Sequence, residues 1–326
     1  MNEIFFNKFE RLRSGWRFII FSVLFSLITA FVGIISISVV LIFLPDDKTG
    51  TFFMSPIGVS VLSFFSLTFT TLLGWFCGKY FEDLPLKALG WAFHQAWIKQ
   101  TIWGLLIGAF SIIFASLLAM PSGGLSFTLN QTADFSMLLK STAVSAVVLF
   151  IAAASEEVLF RGYILQTFVR AKLAWLGILL TSFPFAVAHL GNPNAEIIST
   201  INTALAGVWL GLAYLKTRSL WFAFGIHFAW NLVQGSFLGL PISGLTNLTK
   251  HSVLQFSDQG PAWLTGGSYG IEGGIACTIS LLFSMLIVWF LPFIKADEEM
   301  LTLTSNEIPK EKSFLSPPAP PTFENV

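Results

Sequence analysis

The chain has 326 residues, 54% of them hydrophobic and only 11% charged, with a mean hydropathy of +0.74. A soluble domain carries about 25% charged residues, so composition excludes a surface that water covers throughout. The 18 Lys and Arg balance the 18 Asp and Glu, which leaves no basic field to hold nucleic acid.

A membrane-spanning helix takes about 20 apolar residues. In chain order, such runs cover 17–44, 57–81, 101–120, 136–168, 173–190, 197–215, 220–238 and 270–292. They predict an all-α, polytopic membrane helix bundle with about eight transmembrane helices. The first run is too long for a signal-peptide core. It ends at Pro45-Asp46-Asp47 with no small-residue cleavage site, so a retained helix is expected. The stretch 83–100 mixes Trp91, Phe93 and Trp97 with charges and reads as an amphipathic segment along the interface. His94 and His251 fall in connections and are expected to be solvated. Cys77 and Cys277 sit inside apolar runs and read as small core hydrophobes. The tail 297–326 turns polar and Pro-rich (Pro317, Pro318, Pro320, Pro321), the composition of a disordered cytoplasmic tail.

The positive charges test the topology independently. Lys8, Arg11, Arg13 and Arg17 precede the first run; Lys79, Lys87 and Lys99 fall between the second and third. Arg170 and Lys172, then Lys216 and Arg218, then Lys295, Lys310 and Lys312 mark later connections on the same side. The opposite connections hold only Lys48, Lys140 and Lys250. Cytoplasmic loops are the ones enriched in Lys and Arg, so both termini are expected in the cytoplasm, with the plasma membrane as the expected location.

Ionisable groups at membrane depth are costly and mark functional candidates. The fourth run carries Glu156 and Glu157, adjacent and so about 100° apart on a helix. Glu157 and Arg161 are four apart and share a face, as an ion pair does. Glu156 has no sequence-local cation. The fifth run holds Pro184, which leaves the Leu180 carbonyl without its helical partner, and then His189. The seventh holds His227 and Asn231, four apart on one face. In the sixth, Gly207 and Gly211 allow close helix contact, and Asn202 is a supporting candidate. From straight-helix rise, Glu156 lies about 20 Å from Arg170, His227 about 13 Å from Arg218 and His189 about 25 Å from Lys172. The first two depths point to a cavity reached from the cytoplasm.

A buried carboxylate, two imidazoles and a carboxamide form a hydrolytic set. Glu156 can take a proton from water, an imidazole can orient that water, and a second imidazole with an amide N–H can stabilise an oxyanion. Glu156, His189 and His227 could equally hold a divalent metal such as zinc that activates the water. No His-Glu-x-x-His signature is present, and metal-assisted and metal-free chemistry both stay open.

Glu156-Glu157-Val158-Leu159-Phe160-Arg161, Phe185-Ala186-Val187-Ala188-His189 and His227-Phe228-Ala229-Trp230-Asn231 occur in that order on successive apolar runs. This pattern resembles the CPBP/Abi family: type II CAAX prenyl endopeptidases with bacteriocin-processing and lysostaphin-resistance relatives. Phe160-Arg161-Gly162 and the early Ser14-Gly15-Trp16-Arg17 also resemble it. The resemblance implies an intramembrane (metallo)endopeptidase, a hydrolase of membrane-anchored proteins, CAAX-type substrates or peptide precursors within a lipid bilayer. It implies Glu156 and His189 as the water-activating groups, His227 and Asn231 as the oxyanion site, and Glu157 and Arg161 as support. The expected organisation is N-terminal helices over 1–135, a family-like core of about four helices over 136–238, a loop and last helix over 239–296, and the tail. Two other classes fit the residues: a non-catalytic membrane immunity or interaction protein on the same scaffold, and a proton-coupled carrier, against which the lack of repeated halves counts.

Overall fold

The structure is a computed structural model that describes residues 2–44, 46–121 and 124–307. Eight apolar helices form a bundle: α1 Ser14–Phe43, α2 Pro56–Glu82, α3 Trp97–Ala119, α4 Phe135–Glu157, α5 Ala174–Ala188, α6 Ile197–Thr217, α7 Leu220–Leu232 and α8 Ile275–Phe290. Each expected apolar run thus falls on a helix. Five are long and apolar enough to cross a membrane on that basis alone: α1, α2, α3, α6, and α4 with its continuation to Arg170. α5 and α8 are shorter apolar helices, so the expected eight crossings are not each matched by a full-length span. The outward faces carry large apolar side chains such as Leu27, Phe31, Ile34 and Leu282, as lipid contact requires. The chain is an integral membrane protein.

Local chemistry fixes where these helices begin. Ser55 accepts from the Gly58 N–H ahead of Pro56, Asp134 accepts from the Met137 N–H at 2.8 Å, and Ser219 accepts from the Trp221 N–H. Glu196 and Ser199 form a capping box on α6. α3 and α7 form the most extensive helix pair. Gly104 and Gly108 on one and Gly225 on the other bring the backbones so close that an added Cβ would collide with the opposite chain. Gly207 does the same for α6 against the Ser182 backbone of α5, and Gly211 seats the Ile178 side chain closely, the close helix contact expected of them.

Two breaks in regularity matter. After Glu157 the helix widens into a π-turn, Val158–Ile164, in which Gly162 has ψ −117°, before resuming as Leu165–Arg170. α7 likewise passes into a π-turn, Val233–Phe237. Outside the helices, β1 Leu125–Leu129 pairs antiparallel with β2 Leu254–Asp258, Leu125 opposite Asp258.

Contacts sort the connections into two ends. Arg11 meets Asp83 at 2.7 Å, Asn7 meets Glu307 at 2.7 Å, the Leu220 N–H donates to Gly90, and Lys172 donates to the Ser305 carbonyl. This basic end gathers the N-terminal segment, the 83–96 connection and the stretch after α8. At the other end Asn192 donates to the Ser243 carbonyl at 2.9 Å and Asn130 to that of Ser252.

The stretch 83–100, read as an amphipathic segment, is a 3-10 turn, Leu86–Leu89, a loop, and then the start of α3. Trp91, Phe93 and Trp97 each pack against Trp221. Two expectations change at the basic end. His94 is buried rather than solvated, with Nε2 3.1 Å from Ser219 Oγ and Nδ1 accepting from the Ala96 N–H. Residues 297–307 are ordered: a short helix α9, Glu298–Thr304, buries Met300 and Leu303 against Leu84 and Ala88. Its polar faces concealed this amphipathic anchor. The rest of the expected disordered tail, 308–326, lies outside the described residues.

Candidate active site

A cavity of about 320 Å³ opens among α4, α5, α6, α7 and α8. Glu156, His189, His227 and Asn231 all line it, so four polar residues spread over 76 positions of chain (156 to 231) meet on one space. Its walls also include Val59, Asn192, Asn202, Ser243, Leu248 and Glu272. These come from the non-basic ends of their helices or from the loops there. The cavity therefore occupies the half of the bundle away from the basic end, not the half that depth along α4 and α7 suggested. Rise along one helix fixes a residue's level but not which loops close around it.

The two adjacent glutamates part company as their helical spacing requires. Glu157 is fully buried and does not line the cavity. Its Oε1 accepts from Arg161 Nη1 at 2.9 Å and lies 2.8 Å from His227 Nδ1. Arg161 Nη2 donates to the Gly207 carbonyl at 3.2 Å, tying the pair to α6. Glu156 is 31% exposed, and its Oε2 sits 3.7 Å from His227 Nε2 with no hydrogen-bond partner among the described residues. One imidazole thus bridges the glutamates: Nδ1 is fixed by Glu157 and Nε2 is turned to Glu156. A ring fixed in this way keeps its orientation.

His189 caps α5. Its Nδ1 lies 2.8 Å from the Phe185 carbonyl, which leaves Nε2 for the cavity. Phe185 explains the aromatic four residues before this histidine. Its ring lies 4.9 Å from the His189 ring, 6.2 Å from the His227 ring and 4.7 Å from the Arg161 guanidinium. One side chain thus packs both imidazoles and the supporting cation. Asn231 lies one turn beyond His227 on the cavity wall and makes no side-chain hydrogen bond among the described residues. Its carboxamide is available to a ligand.

Asn202 serves the wall instead of the chemistry. It donates to the Glu272 and Gly274 carbonyls and accepts from Thr278 Oγ1, pinning the entry to α8 against α6. Glu272 went unnoticed in the sequence because it sits at the edge of the last apolar run. It occupies a 3-10 turn, Ile271–Gly273, before α8 and lines the cavity. Burial first, and Glu272 second, push the neighbouring Tyr269 phenol up to about 12.

As a metal centre the arrangement does not fit. Among the described residues no group of three or more His, Cys, Asp or Glu is placed to hold a metal ion. Glu156, His189 and His227, the expected ligands, share a cavity without forming such a group.

Apolar helices enclosing a carboxylate, two oriented imidazoles and a carboxamide define a membrane protein with an internal polar site. Residues 138–233 match the family model described as Rce1-like, type II CAAX prenyl endopeptidase Rce1-like. The match makes this segment, under a third of the chain, similar to that family of CAAX-type endopeptidases. The match spans Glu156, Glu157, Arg161, His189, His227 and Asn231. No curated protein and no solved structure matches the chain.

Proposed function

We propose that the cavity hydrolyses peptide bonds of membrane-anchored proteins or peptide precursors, with Glu156 as general base. The reading rests above all on one observation: Glu156 lines the cavity, and its Oε2 has no hydrogen-bond partner among the described residues, beside an imidazole whose other nitrogen is fixed. A water between Glu156 and His189 gives its proton to Glu156 as its oxygen attacks the scissile carbonyl. Asn231 and His227 Nε2 stabilise the resulting oxyanion. With its Nδ1 proton given to Glu157, His227 donates from Nε2 only as imidazolium, so the Glu157–Arg161–His227 cluster sets the charge of the oxyanion site. Collapse breaks the C–N bond, and the proton held on Glu156 passes to the leaving amine. The basic end faces the cytoplasm in this reading, and the cavity lies toward the opposite leaflet.

The test is cleavage of a peptide library by protein in bilayer discs, with and without a chelator. The expected result is cleavage that chelator leaves intact and that Glu156→Gln lowers by about 10²–10⁴-fold, the contribution of a general base. Unimpaired cleavage by Glu156→Gln, or abolition by chelator, overturns the mechanism.

A further inference from the structure

We propose that Glu272 is a specificity residue that selects substrates with a cationic side chain, Lys or Arg, beside the scissile bond. The inference deepens the endopeptidase reading and rests on it. Glu272 lies beyond the segment that carries the family pattern, so nothing in that pattern assigns it a role.

The argument starts from the donors around its carboxylate. Oε1 accepts from Trp230 Nε1 at 3.0 Å; Oε2 accepts from the Ser243 N–H and, at 3.0 Å, from the Ser243 hydroxyl. Three donors on two oxygens is the pattern that the acceptor-only, ionised carboxylate satisfies. All three donors are neutral. They fix the carboxylate and leave its charge uncancelled, and no Lys, Arg or His pairs with Glu272 among the described residues.

The cavity walls repeat the imbalance. They include two carboxylates, Glu156 and Glu272, but no lysine or arginine, and the His227 imidazolium of the proposed mechanism faces Glu156, which leaves Glu272 unmatched. Arg161 lies outside the lining and is already paired with Glu157. A desolvated cavity with unmatched negative charge favours a cation. Size brings that cation close to the reaction. About 320 Å³ holds only a few residues of an extended peptide, and Trp230, which holds Glu272, lies three residues from His227 on the same wall. A residue near the cleaved bond is within reach of the acid. Much of the remaining lining, including Leu149, Leu159, Leu245 and Leu281, is apolar and suits the stem of a long cationic side chain.

The experiment uses the full chain in bilayer discs and one cleaved library peptide, remade with Lys, Gln or Glu at each position flanking the scissile bond. At one position the Lys peptide is expected to exceed the Gln peptide in kcat/KM by about tenfold, mainly through KM, with the Glu peptide the poorest. The second arm is Glu272→Gln, in which the Lys-to-Gln ratio is expected to fall toward one. A purely structural role for Glu272 lowers both rates together and leaves the ratio unchanged, which overturns the proposal. So does a wild-type protein that cleaves all three peptides equally, and this arm does not depend on the variant folding. Cleavage of no library peptide at all marks instead the failure of the endopeptidase reading.

Discussion

At the basic end Glu82 receives Arg170 Nε at 2.8 Å on one oxygen and Arg170 Nη2 at 2.9 Å on the other. Arg17 reaches the first oxygen at 2.6 Å, and its Nη2 lies 2.9 Å from Glu307 Oε1. In the cavity Glu156 has one imidazole at 3.7 Å and an oxygen with no partner. Both are glutamates on apolar helices, yet one is saturated by cations and the other is left short of them. A buried carboxylate clamped by two guanidiniums has nothing to offer a substrate. Its work is to join α1, α2 and the end of the α4 continuation with the segment after α9. A carboxylate kept short of donors stays reactive toward water. Incomplete pairing, not burial, marks the chemical site.

Substitutions can break this contrast. The largest separation is expected in activity. Glu156→Gln abolishes nearly all cleavage while its melting temperature in detergent stays within a few degrees of wild type. Glu82→Ala does the reverse: it strands Arg170 and leaves Arg17 with Glu307 as its remaining carboxylate, costs about 3–5 kcal/mol of stability, and is read as a lower melting temperature and a poor folded yield. Equal losses of stability in the two variants overturn the comparison. Asn231→Ala is expected next, lowering kcat about 10²–10³-fold as loss of an oxyanion donor does, with the fold intact by the same melting assay. The smallest effect lies at His94. Burial holds its imidazole below the usual histidine value, outweighing Asp297 and Glu299. The folded state therefore favours the neutral ring. Its contribution to stability is complete above about pH 6.5 and is lost as pH falls through the lowered folded value. A melting series from pH 7.5 to 5 is expected to fall less steeply in His94→Gln.

What the sequence made legible follows from distance along the chain. The Glu157–Arg161 pair is a spacing of four on one helix, and the structure holds it at 2.9 Å. The apolar runs and the six polar candidates were visible because periodicity and hydropathy are local properties. Arg17 drew notice only as part of Ser14-Gly15-Trp16-Arg17. Its partner Glu82 is 65 residues away, and no local pattern joins them. Glu272 was hidden by its position at the boundary of an apolar run, and His94 by a loop composition that resembles solvated connections. The location of the cavity needed the loops around Asn192 and Ser243, whose meeting is purely tertiary.

The π-turn Val158–Ile164 follows directly after Glu157, and Val233–Phe237 follows two residues after Asn231. A wide turn of this kind is one residue inserted into a helix. It rephases what lies beyond it by about 100°, and the path kinks at the non-helical Gly162, so the Glu156–Glu157 pair and Arg170 each face their own partners. Deleting a single residue from 158–164 would leave composition and hydropathy almost untouched. It would swing either the glutamates or Arg170 off target, which makes this stretch intolerant of length change.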